Sequence, residues 1–178
     1  MDEFDNLLKQ QPDIVNSLRD VFDGYTLLMR GARMGDKRIV SLLSKRAHDL
    51  SVVDNIGHNV LHDIVADNND DDSLDLLNSL DVAQLSSDVV NHQNQYNDTP
   101  LYLAAMANNH KTIVWLFEHG AGPSMEIPGK RPGEDEDCDD ETRKLIRSFQ
   151  SKWNILSFFR FRISFGCIAF TEPKLFFM

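Results

Sequence analysis

Cysteine is scarce. The chain has two, Cys138 and Cys167, too few for a disulfide framework. That usage suits a reducing compartment, and the acidic start Met-Asp-Glu-Phe-Asp lacks the basic region and apolar run of a secretory signal, so the expected location is cytoplasm or nucleus. Long apolar runs are absent too. The longest uncharged stretch near the C-terminus, Ile163 to Thr171, is well short of the roughly 17–25 residues of a membrane span. Basic residues are outnumbered, 18 against 28 acidic, so the chain competes poorly for phosphate backbones and direct nucleic-acid binding is excluded. No Gly-x-Ser-x-Gly, phosphate-cradling loop or Cys–His pattern occurs, and the six histidines form no zinc spacing. The run Asp67 to Asp72 invites a calcium reading, but its sixth and twelfth positions are Asp72 and Asn78, where a calcium loop needs Gly and Glu. It reads instead as a solvated turn between helices. Asn97-Asp98-Thr99 reads as a turn and helix start rather than a glycosylation site. No cofactor, metal or enzymatic activity is expected.

The charge that is present is unevenly placed. Residues 1–149 carry 14 basic and 27 acidic side chains, whereas 150–178 carry 4 and 1, together with 8 of the 16 aromatics. An acidic body precedes a tail of different composition.

Within the body, three segments share a pattern. They are Gly24-Tyr25-Thr26-Leu27-Leu28-Met29-Arg30-Gly31-Ala32, Gly57-His58-Asn59-Val60-Leu61-His62-Asp63-Ile64-Val65 and Asn97-Asp98-Thr99-Pro100-Leu101-Tyr102-Leu103-Ala104-Ala105. Leu28 lies 33 residues before Leu61, and Leu61 lies 40 before Leu101. Each segment is followed by a second apolar cluster, around Leu42, Leu76 and Leu116, at spacings of 34 and 40. Ile39, Leu42 and Leu43 make one helical stripe. Thr can cap orphan amides and Pro suits a first helical position. Small residues such as Gly31, Ala32, Ala104 and Ala105 permit close approach of helices. Two short helices of this kind cannot bury their faces alone; stacking about three units does so.

These residues resemble the ankyrin repeat, best in the third copy through Thr99-Pro100-Leu101-Tyr102-Leu103-Ala104-Ala105 and Gly120-Ala121. The resemblance implies an all-α solenoid of helix-turn-helix units with β-turn loops. The repeats span about 24–53, 54–93 and 94–124. Residues 1–23 would be an N-terminal half-repeat cap, and 125–149 a degenerate fourth repeat closing with a helix from about Asp139 whose Leu145, Ile146 and Phe149 face inward. Residues 150–178 would be an atypical tail. The second copy departs most: Asn59 and Val60 replace Thr and Pro, and β-branched Ile64 and Val65 replace Ala-Ala, from which looser or shifted packing is expected. Its extra residues, Asp81 to Ser87, should form an added turn or short helix.

The family likeness further implies a non-enzymatic module that binds one or more proteins, as an adaptor or inhibitor, through loop tips and the first-helix face. A basic partner surface and a monomeric state are expected. The variable positions that would carry specificity are Phe22, Asp23, Tyr25, Arg33 and Met34 in the first copy. In the second they are Asn55, Ile56, His58 and Asp67, and in the third Gln95, Tyr96, Asp98 and Met106. Large rings make Phe22, Tyr25 and Tyr96 the anchor candidates. His62 stands where the family ties loop backbone to helix start. The tail admits three readings: a splice-derived end without selected structure, a segment packed on the stack, or, through Phe158-Phe159-Arg160-Phe161-Arg162-Ile163, a membrane-peripheral contact.

Overall fold

Every unit begins with a side chain that takes up the free amides of a helix. The computed structural model describes residues 6, 10, 18–45, 49–122 and 138–151. Thr26 accepts from the Met29 amide at the head of α1 (Leu27–Arg33). Asn59 accepts from the Leu61 and His62 amides at the head of α3 (Val60–Asp67), so the departure from Thr costs the second unit no cap. Thr99 accepts from Tyr102 at the head of α6 (Pro100–Met106), with Pro100 in the first helical position. The second helices are α2 (Lys37–Ser44), α4 (Asp70–Leu77) and α7 (His110–Glu118), the first two headed by Asp36 and Asn69.

The acidic run corrects one expectation. Asp70, Asp71 and Asp72 are not a turn but the first turn of α4, where negative charge meets the positive end of the helix. Asp70 also reaches into the next unit. Asn109 at the head of α7 makes no side-chain cap bond; the Lys111 and Thr112 amides donate instead to Asp70 Oδ2 and Oδ1, at 3.0 and 2.9 Å.

First helices stack on first helices (α1 on α3, α3 on α6) and second on second (α2 on α4, α4 on α7). The core runs between the two layers through Leu28, Val40, Leu43, Leu61, Ile64, Leu76, Leu77, Leu101, Ile113 and Leu116. Ile64 and Val65 are fully buried, so the expected looseness does not show as exposure. Gly31 is required by contact: a Cβ there would lie 2.7 Å from Ile39 Cγ2. Gly35, after α1, and Asn108, at the corresponding place after α6, both take the left-handed conformation, φ 67° and 55°.

The insertion folds as the 3₁₀ turn Val82–Gln84 and the short helix α5 (Ser87–Val90), which buries Val89 and Val90. It is stitched backwards: Gln84 Nε2 donates to Ser44 O at 3.0 Å, and Asn59 Nδ2 to Val89 O at 2.8 Å. A last helix, α8, covers 140–151. Asp139 accepts from the Thr142 amide at its start, Ile146 is buried, and Phe149 stacks on Phe117 with ring centroids 4.2 Å apart. Cys138 is buried just before it and donates to Ala105 O. Most of the expected N-terminal half-repeat, the decayed start of a fourth repeat at 127–133 and nearly all of the tail lie outside the described residues. Among the described residues no helix is long and apolar enough to cross a membrane.

The cap in trans yields a test. Asp70→Ala should lower unfolding free energy in urea by about 1 kcal/mol, whereas Asp71→Ala, at an exposed ion pair with Lys111, should change it little. Equal effects would show that the bond across the units is unimportant.

Candidate interaction surface

Three loops precede the first helices, and one device shapes each. A carboxylate or amide oxygen accepts the amides two and, in the later loops, four residues on. Asp20 accepts from Phe22. Asp54 accepts from Ile56 and His58 at 2.9 and 2.7 Å. Asn94 accepts from Tyr96 and Asp98 at 2.8 and 2.9 Å. Such side-chain turns fix a loop without further secondary structure. Gly57 and Asn97 then supply the left-handed step, φ 81° and 62°.

The loops are bonded to one another. The Asn55 amide donates to Asp23 O and the Gln95 amide to Ile56 O, both at 3.0 Å, and Asn55 Nδ2 donates to Phe22 O. Arg30 braces the first loop through Asp20 and Asp23. The backbone amide of Phe22 and the Arg30 guanidinium hold the Asp20 carboxyl below its usual range. The result is a ledge of three turns in register.

The expected contact residues do not share one environment. Phe22 is 92% exposed, Met34 78% and Tyr96 54%. Arg33, Asn55 and Gln95 are exposed; Asp23, Ile56, His58, Asp98 and Met106 are half-buried. Asp67 closes α3. Tyr25 is corrected. It is only 6% exposed, its hydroxyl accepts from Arg33, and the Arg30 and Arg33 guanidinium groups lie 4.8 and 5.2 Å from its ring centroid. Burial, with the nearby Asp63 charge, raises its phenol above the ordinary value. Tyr25 is a wall of the first-helix face, not a presented anchor.

Behind the ledge lies a polar cluster that the spacing argument missed. His58 stacks on His62, ring centroids 5.1 Å apart, and His62 meets His92 edge-on at 5.9 Å. His62 accepts from the Asn59 amide through Nδ1 and donates through Nε2 to Asp98 O at 3.1 Å, joining helix start to the next loop. Burial pushes His62 down to about 3, so it stays neutral. Asp63 is 1% exposed and its Oδ2 has no hydrogen-bond partner. Burial raises this carboxyl, and Asp63 in turn raises His58, whose Nδ1 lies 3.9 Å from Asp63 Oδ1.

The ligand atoms of Asp54, His58 and Asp63 lie within 4.8 Å of one another, a spacing a cation could bridge. Asn94 argues against it. Its oxygen is committed to two amides, so its Nδ2 must donate to His58 Nε2, at 2.9 Å. Neutral His58 therefore carries its proton on Nδ1, facing Asp63, where a metal would need the lone pair.

Asp20, Asp54 and Asn94 recur at 34 and 40 residues, the spacings of the second apolar clusters, and that signal could have found them. Asp63 left no such trace, because its burial depends on the units on either side.

A family model for ankyrin repeats, in three copies, matches residues 28–127. No curated protein matches the chain.

The depressed His62 predicts a pH dependence. Its proton is taken up only on unfolding between the ordinary value of 6.5 and about 3, so its share of stability falls as pH drops below 6.5. The stability gap between wild type and His62→Gln, measured in urea, should shrink by about 1 kcal/mol from pH 7 to pH 5.5. A constant gap would show that His62 takes up its proton in the fold as readily as in the unfolded chain.

Proposed function

Because the chain belongs to the ankyrin-repeat family, whose repeats bind other proteins, we propose that it is an adaptor or inhibitor that covers a partner protein with its loop ledge and first-helix face. The observation that carries this reading is the pairing of a rigid ledge with rings left outside it. Phe22 and Tyr96 stand on turns whose backbones are already hydrogen-bonded. Little ordering remains to be done when they are covered, which favours affinity from a few aromatic anchors.

Charge supports a basic partner surface. Between Arg46 and Lys111 there is no lysine or arginine, yet there are eleven aspartates. Lys37 and Lys111, from the units on either side, pair with Asp75 and Asp71 on α4. The remaining field is negative and would speed encounter with a basic face.

Affinity capture by the full chain tests the proposal. Phe22→Ala with Tyr96→Ala should weaken capture of a specific partner about tenfold and leave the circular dichroism melt unchanged. Tyr25→Ala should instead lower stability by about 3 kcal/mol, as loss of a buried ring does. Undiminished capture by the double variant would place the contact on another face.

A further inference from the structure

His58 Nε2 has one lone pair and two claimants. The first is Asn94 Nδ2, from the third loop, at 2.9 Å. The second is a solvent proton, which can reach the ring because His58 is only partly buried. Asn94 cannot turn its amide round to suit a protonated ring, since its oxygen holds the Tyr96 and Asp98 amides and so fixes the turn. Protonated His58 would put an N–H against an N–H.

We propose that His58 is a proton-operated latch: neutral, it fastens the third loop through Asn94; protonated, it lets that amide go and pairs with Asp63.

The surroundings supply both positions of the latch. Asp63, on the same unit, is buried, with Oδ2 unpartnered and Oδ1 3.9 Å from His58 Nδ1, so a positive imidazole at that place compensates the buried carboxylate. Asp54 on the second loop and Asp98 on the third add negative potential and favour the charged ring. Arg33, from the first unit, favours the ionised Asp63 carboxylate and so keeps the counter-charge available to the ring. His62, stacked on His58, stays neutral and adds no competing charge. Asp63 first, and then Asp54 and Asp98, raise His58 above its ordinary value, against the opposing effect of burial.

Release would be local. The Gln95–Ile56 backbone bond and the His62–Asp98 bond do not involve His58, so the loops stay stacked while the Asn94 side chain loses its partner. The turn affected is the one that bears Tyr96. Asp54 stands in the second loop where Asn94 stands in the third, and both accept amides two and four residues on. Asn94→Asp therefore keeps the turn and replaces only the donor that faces His58 by an acceptor.

The test is a titration of the full chain from pH 5 to 8, followed by NMR of the histidine ring protons, the Asn94 side-chain amide and the Tyr96 and Asp98 backbone amides. The three amide signals should shift with the His58 midpoint. Asn94→Asp should raise that midpoint by at least one pH unit, a tenfold gain in proton affinity, and Asp63→Asn should lower it. If His58 titrates while the amides of Asn94, Tyr96 and Asp98 stay still, the latch is refuted, and the wild-type chain alone decides this should a variant fail to fold. An unchanged midpoint in folded Asn94→Asp would overturn it equally.

Discussion

None of the described repeat helices can hide its apolar stripe within its own repeat. Seven- to nine-residue helices are too short to be stable alone in water, and a pair of them covers only one side of each. Everything else in the structure answers to that dependence on neighbours. Gly31 lets α1 and α2 close to contact, Ala104 and Ala105 do the same within the third unit, and the buried aliphatic column runs unbroken from Leu28 to Ile146. The polar groups follow the same rule. Asn55, Gln84, His62 and Asp70 each bond to a neighbouring unit or across a unit boundary, so the hydrogen-bond network is as continuous as the apolar one.

The loop ledge is a consequence of this stacking. Once the first helices are in register, their leading turns fall one above another and can bond backbone to backbone. The side-chain turns of Asp20, Asp54 and Asn94 then hold each tip in shape. Rings carried on such tips are exposed without being free to wander. A surface of this kind suits recognition of another protein, as ankyrin repeats provide.

Repetition made much of the fold legible in the sequence. The spacings of Leu28, Leu61 and Leu101 placed the first helices, and Thr26 and Thr99 marked where two of them start. What escaped depended on neighbours in space. Tyr25 looks like His58 and Asp98 by position, yet two arginines and the second unit enclose it. The aspartate run looked like a turn because its composition is that of a loop; Asn69 caps it as a helix, and only the stack shows Asp70 also capping the next unit. Nothing in the repeat pattern marks Asp63, and only the stack shows it buried. Local patterns foretell local structure, whereas the character of an individual side chain is set across the interface.

The cap that Asp70 places on α7 bears on how such an array can change over time. Repeats are commonly regarded as interchangeable bricks, gained and lost whole. Here the start of one unit's second helix is completed by a carboxylate from the unit before, while its own Asn109 makes no such bond. Excising the second unit would remove a layer and also leave the third with an uncapped helix, and a duplicate of the third placed elsewhere would be incomplete. Reordering the repeats of this protein would therefore cost the third unit the cap on its second helix.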